Sequence, residues 1–233
     1  MQHETPLQPP LSMPLWPMQR AYAAFLFDMD GTLLDSIASA NRVWSRWAEG
    51  HGLVPDSVLK VLHGVRAVET IRRLNLPDID PEHEADRITQ AEIADAEGTI
   101  ALPGADAFVR ALPTDRWAIV TSAPRALATV RLRAAGLPIP PVFITADDVA
   151  RGKPAPDCFL LAAGILGVAA EDCLVWEDSP AGIAAAEAAG AGVVVLTATH
   201  RHRMETRHPA IADYVRLAHG QDETGALGLF MHP

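Results

Sequence analysis

Two aspartates one residue apart, Asp28 and Asp30, follow a short apolar run and precede a glycine in FLFDMDGTLLDS (25–36). Side chains two apart on an extended segment point the same way, so both carboxylates can face one site, and Gly31 permits a sharp turn beyond them. Like charges that close repel unless a cation lies between them. A helix cap or an Asx-turn explains one such aspartate, but not two together with a further acidic pair, Glu177 and Asp178, in WEDSPAG. A divalent cation resolves the repulsion. Magnesium takes hard oxygen ligands and keeps waters that a phosphate can displace, so Asp28, Asp178 and a backbone carbonyl make a partial shell for it. Lys153, in RGKPAPD, is carried on a loop stiffened by two prolines and would act as a point charge beside carboxylates and phosphate. Thr121 and Ser122 end another apolar run with hydroxyl and N–H donors suited to phosphoryl oxygens.

These groups follow strand-length apolar runs: 23–27 before the first aspartates, 117–121 at the hydroxyl pair and 173–177 at the second acidic pair, with further runs at 142–145 and 192–196. Alanine-rich, helix-length segments lie between most of the runs, at 104–112, 125–135, 157–166 and 180–189. Strands apolar on both faces, alternating with helices, predict an α/β fold: a doubly wound, Rossmann-like parallel sheet covered on both sides. Such sheets bind ligands beyond the carboxyl ends of their strands, near the switch in strand order. In EDSPAG, Ser179 suits an N-cap and Pro180 the first helical position, which puts Asp178 just before a helix.

Residues 37–103 break the alternation and read as helical throughout, so they predict a small α-helical cap seated over the end of the first strand, with hinges near 35–37 and 102–104. Within it, Trp44 and Trp47 share a helical face and read as packing inside the cap. The charge-rich stretch 82–97 reads as a solvated helix face. The domains expected are therefore a proline-rich extension (1–20), a catalytic core (21–36 and 104–233) and the inserted cap (37–103).

Hydrophobic residues make up 49% of the 233 residues and charged ones 21%, which excludes a disordered or fibrous chain. A formal net charge of -10 gives no broad basic surface, so nucleic acid is not the expected partner; any cation for an anionic substrate must be local. No apolar run approaches the length that spans a bilayer, and the N-terminus does not read as a secretory leader. Cys158 and Cys173 form no CxxC pair and read as buried free thiols in a reducing compartment. The expectation is a cytoplasmic monomer that acts on a small phosphorylated metabolite, with neither membrane nor nucleic acid as partner.

Taken together and in order, DMDGTLLDS, the Thr121–Ser122 pair, the GKPAPD lysine and the WEDSPAG acidic pair resemble the four motifs of the haloacid dehalogenase superfamily, over residues 23 to 197 or so. The insertion resembles the cap of its β-phosphoglucomutase-like branch. HGVRAVETI (63–71), ALPGA (101–105), WAIVTSAPR and EDSPAGI look most like phosphatases of hexose or hexitol phosphates, 2-deoxyglucose 6-phosphate and glycerol phosphate. The resemblance implies a magnesium-dependent phosphatase that works through an aspartyl-phosphate. Asp28 would be the nucleophile, Asp30 the general acid/base, Thr121 a phosphate donor and Lys153 the charge stabiliser. Asp28, Asp30 and Asp178 would hold the metal, with Glu177 behind them. Met29, Gly31, Ser122 and Ala123, and His63, Gly64 and Arg66 on the cap, would bind phosphate or substrate, with Arg125 a further candidate. Asp30 separates the chain from dehalogenases and phosphonate-cleaving relatives, which lack the second aspartate. Two alternatives share the site: a sugar-phosphate mutase, against which the threonine of DGT speaks, and a phospho-sugar binder without turnover, which would need neither nucleophile nor acid.

Overall fold

The computed structural model describes residues 20–200 and 204–231, so the proline-rich extension lies outside the described residues but for Arg20. The chain runs through β1 (Ala24–Phe27) and β2 (Leu34–Asp35) into four helices, α1 (Ile37–Gly50), α2 (Pro55–Leu59), α3 (Ala67–Leu74) and α4 (Pro81–Ala94), and returns through β3 (Ile100–Ala101). Helices and strands then alternate: α5 (Ala105–Arg110), β4 (Trp117–Val120), α6 (Arg125–Ala134), β5 (Val142–Ile144), α7 (Asp157–Ile165), β6 (Cys173–Glu177), α8 (Pro180–Ala188) and β7 (Gly192–Leu196). A short β8 (Ala210–Ile211) and a hairpin of β9 (Leu217–Gln221) and β10 (Leu227–Met231) follow.

Six strands form one parallel sheet in the order β5-β4-β1-β6-β7-β8. The fold is the Rossmann-like α/β architecture, and β1 sits at its centre, where the strand order switches. Each central strand feeds two different cores. Phe25, Phe27, Trp117 and Trp176 point to one face and pack with Phe108 and Tyr214, with Trp176 5.3 Å from both Phe27 and Phe108, ring centre to ring centre. Ala24, Leu26, Ala118, Val120, Cys173 and Val175 point to the other face, where small side chains let α7 and α8 approach closely. Both cysteines lie on that side as buried free thiols. Aromatic side chains bury about 150–250 Å² each, so the first face supplies much of the hydrophobic stabilisation and anchors β1.

The helical insertion is tied at its base by β2 and β3, an antiparallel pair with Leu34 opposite Ala101 and Asp35 opposite Ile100. Its four helices enclose their own apolar cluster of Val43, Trp44, Trp47, Val58, Ile71 and Ile88. Trp44 and Trp47 meet edge to face at 5.7 Å. Asp80 caps α4 by accepting from the Glu82 and His83 backbone N–H groups, and Pro81 occupies the first turn, where no N–H is missed. The reading of 82–97 as a solvated face needs correction, because Glu84, Ile88 and Glu92 form a buried stripe at i, i+4, i+8. The Trp47 indole donates to Glu84 at 2.8 Å, and Glu92 crosses to the core.

The short pair β2–β3, the edge strand β8 and the hairpin strand β9 have no strand-like apolar run, so periodicity alone did not reveal them. No helix among the described residues is long and apolar enough to cross a membrane.

Candidate active site

Asp28 leaves β1 with its backbone N–H bonded to the Trp176 carbonyl at 2.9 Å, which fixes it against β6. The next turn closes tightly: the Met29 carbonyl accepts from the N–H groups of Thr32, Leu33 and Leu34. The Met29 side chain is sunk in the aromatic core, so only its N–H is on offer to a phosphate. Gly31 adopts φ 84°, and a Cβ there would collide with the Asp178 carboxylate. The turn thus needs glycine both for its conformation and for the close approach of β1's end to β6's end.

Lys153 is fully buried and donates to Asp28 Oδ1 (2.6 Å), Glu177 Oε1 (2.7 Å) and the Val120 carbonyl (3.1 Å), joining the ends of β1, β6 and β4 through one ammonium. Burial pulls the Lys153 pKa down, but Asp28 and Glu177 outweigh it and hold the ammonium above the usual lysine range. Glu177 spends both oxygens: Oε2 accepts from the Asp178 and Ser179 N–H groups at 2.7 Å and from Ser179 Oγ at 3.0 Å. Ser179 Oγ also caps α8 by accepting from the Gly182 N–H, with Pro180 in the first turn.

Oxygens of Asp28, Glu177 and Asp178 lie within 4.8 Å of one another. Because Glu177 is fully engaged, Asp28 and Asp178 are the side chains that would hold a metal. Burial, opposed by Lys153 and aided by Glu177 and Asp30, lifts the Asp28 carboxyl to about 8. Burial, with Glu177 and Asp28, raises Asp178 well above the carboxylate range. Three acidic groups thus share one ammonium, and the pocket for Asp178 against Gly31 leaves no room for a side chain. This donor set fits a hard, oxygen-seeking divalent cation. Asp30, expected among the ligands, does not bring its carboxylate into the group; it accepts from Ser36 Oγ at 2.6 Å and pairs with Arg131 at 3.1 Å.

The pKa directions imply a dependence of stability on pH. Without metal, the folded protein keeps protons on Asp28 and Asp178 that the unfolded chain releases near pH 4, so stability falls as pH rises from there towards about 8. A divalent cation held by these carboxylates would favour their charged forms and offset the loss. Melting in EDTA is expected to drop between pH 5 and pH 8 while the magnesium-induced rise in Tm grows; a magnesium effect independent of pH would contradict this arrangement.

Beside the cluster opens a cavity of about 90 Å³ between sheet end and cap. Asp28, Thr121, Ser122 and Ala123 line its core side; Trp44, His63, Gly64, Thr89 and Glu92 line its cap side. Thr121 Oγ1 accepts from the Ala123 N–H at 3.1 Å and keeps its own proton to donate. Three contacts hold the cap down. Ser122 Oγ donates to the Gly64 carbonyl at 3.1 Å, Arg131 pairs with Glu92 at 3.0 Å, and Arg66 donates to the Val149 and Ala150 carbonyls at 2.6 and 3.1 Å. At Gly64 (φ 78°) a Cβ would strike the Ser179 side chain, so the cap sits directly on the α8 N-terminus there.

The structure therefore gathers Asp28, Asp30, Thr121, Ser122, Ala123, His63 and Gly64 around one cavity, with Lys153, Glu177, Asp178 and Gly31 at its sheet end. It does not bring Arg66 to the cavity: that guanidinium is turned onto the core loop. Arg125 is likewise engaged elsewhere, with Asp148 at 2.6 Å and the Phe143 carbonyl. Four residues escaped the sequence reading: Ser36, Glu92, Arg131, and His200, whose ring Nε2 lies 2.8 Å from the Asp178 carbonyl oxygen. Arg131 left a signal, since it interrupts the apolar stripe Leu127, Ala128, Leu132 of α6.

The family of haloacid dehalogenase-like hydrolases matches residues 22–190. The chain is 45% identical over 178 residues to hexitol phosphatase A of Escherichia coli (strain K12), covering 75% of this chain and 82% of that protein. It is 31% identical over 195 residues to glycerol-1-phosphate phosphohydrolase 2 of Saccharomyces cerevisiae, covering 78% of each. Among solved structures it is similar to a CbbY mutant from Rhodobacter sphaeroides in complex with xylulose-(1,5)bisphosphate, with a TM-score of 0.71 and 25% identity over 84% of this chain and 96% of that one.

Proposed function

From the premise that the chain belongs to the haloacid dehalogenase-like hydrolases, we propose that it is a magnesium-dependent phosphoric monoester hydrolase that acts on small phosphorylated sugars or polyols through an aspartyl-phosphate. The observation that carries this reading is Lys153 bridging Asp28 and Glu177 at 2.6 and 2.7 Å beside Asp178, with the cavity opening over Asp28. The names of the similar proteins, a hexitol phosphatase and a glycerol-1-phosphate phosphohydrolase, support the substrate class.

Phosphate monoesters hydrolyse so slowly in water that enzymes accelerate the reaction by up to ~10²¹-fold, whereas general acid catalysis contributes only ~10²–10⁴. Fixed charge and positioning must supply most of the difference. The Lys153 ammonium fixes the Asp28 carboxylate by binding Oδ1 and neutralises charge as it develops on the phosphoryl group. Magnesium, held by Asp28 and Asp178, would supply further positive charge to the phosphoryl oxygens. A carboxylate oxygen of Asp28 forms a bond to phosphorus as the ester P–O bond breaks, and Asp30 gives its proton to the departing alcohol oxygen. In the second half Asp30 takes a proton from water, the water oxygen bonds to phosphorus, and Asp28 leaves as a free carboxylate. Thr121 donates its hydroxyl, and Ser122 its backbone N–H, to phosphoryl oxygens. The cap excludes water during attack and opens to release the alcohol. Buried free thiols and the net charge of -10 suit a cytoplasmic enzyme of small metabolites.

Phosphate release across a panel of hexose, hexitol and glycerol phosphates, with magnesium and then with EDTA, tests the reading. Release is expected with magnesium and its loss with EDTA. Isomerised product without free phosphate would establish a mutase instead.

A further inference from the structure

At the cap end of the cavity, Arg131 of α6 lies between two carboxylates from different parts of the molecule. Its Nη1 is 3.1 Å from Asp30 on the core and its Nη2 3.0 Å from Glu92 on α4 of the cap. Both Arg131 and Glu92 are 6% exposed, and both line the cavity. One guanidinium is shared between the two carboxylates, and Arg131 Nε is buried without a hydrogen-bond partner. Burying such a set costs more desolvation than an apolar seam of the same shape, which would close a cap at least as firmly. A carboxylate and a guanidinium lining the same cavity match a partner that both donates and accepts, which is what a hydroxyl does. Thr89 adds a further hydroxyl on the same wall.

The geometry points to Glu92 and Arg131 as the residues that recognise the hydroxyl-bearing tail of the leaving group, an assignment that rests on the phosphatase reading above. Glu92 accepts from tail hydroxyls and the Arg131 guanidinium donates to one of them. One guanidinium separates Glu92 from Asp30, the group that protonates the ester oxygen. Glu92 therefore meets hydroxyls well down the carbon chain, and the site favours a polyhydroxylated chain longer than glycerol. Because Glu92 rides on the cap and Arg131 on the core, such a tail also bridges the two parts when it binds.

The test compares Glu92→Gln with the wild type on a hexitol phosphate, glycerol phosphate and p-nitrophenyl phosphate. Losing a hydrogen bond to a charged group is expected to lower the kcat/KM ratio of hexitol phosphate to p-nitrophenyl phosphate by about tenfold to a hundredfold, through KM rather than kcat. A fall of equal size on all three esters would make Glu92 a structural latch and overturn the assignment, as would no change on any. In the wild type alone, a free hexitol is expected to inhibit competitively at lower concentration than glycerol; equal inhibition also overturns it, without reliance on a variant's folding. Wild-type enzyme that releases no phosphate from any sugar or polyol phosphate would instead refute the phosphatase reading itself.

Discussion

Asp28→Asn is expected to cut phosphate release from every ester by about 10⁴-fold or more, the scale on which removal of a covalent nucleophile acts. Asparagine keeps the volume and an oxygen acceptor for the Lys153 ammonium, so the bridge to Glu177 and the anchoring of the backbone N–H to Trp176 should survive. What disappears is the charged oxygen proposed to form the bond to phosphorus. Substrate should still bind, so calorimetric titration of the variant with a hexitol phosphate would show binding without turnover. Residual activity near one part in ten would mean that another group attacks phosphorus.

Lys153→Met is expected to have the largest effect on stability. The ammonium is 1% exposed and is the cation shared by Asp28 and Glu177. Removing one partner of a buried ion pair strands the others, at a cost of about 3–5 kcal/mol. Urea unfolding in EDTA near neutral pH would show this. Magnesium should restore part of the deficit. Turnover should fall by about 10²–10³-fold even in the folded fraction, as when a preorganised electrostatic donor is lost. Arginine is not expected to rescue, since its wide planar fork does not fit a site built around a point donor with three close acceptors. A stability change below about 1 kcal/mol would show that the ammonium does not hold the two acids together.

The groups of the reacting end were legible in the sequence for a local reason. A parallel strand buried on both faces writes itself as an apolar run, and functional side chains stand immediately after it, so Asp28, Thr121 and Asp178 are each marked by the run before them. Residues of the cap end carry no such mark. Glu92 sits in a charged segment, and only its spacing from Glu84 and Ile88 hints that it faces inward. Its partner Arg131 lies on another element, and nothing local to either residue announces the pair. Arg66 shows the converse. Resemblance placed it towards the substrate, but two loop carbonyls at 149 and 150 claim its guanidinium, and a neighbour that far along the chain leaves no trace in the residues around 66.

The central strand β1, which leads into Asp28, is made before both of the strands that flank it. β1 ends at Phe27, but its two flanking strands begin at Trp117 and Cys173. At synthesis rates of ~5–20 residues per second, one edge of the apolar AFLF segment stays open for on the order of ten seconds before its second neighbour is even translated. The four cap helices, whose contacts are short in sequence, can associate in that interval and leave the ribosome-bound chain with a finished lid above an unbuilt floor.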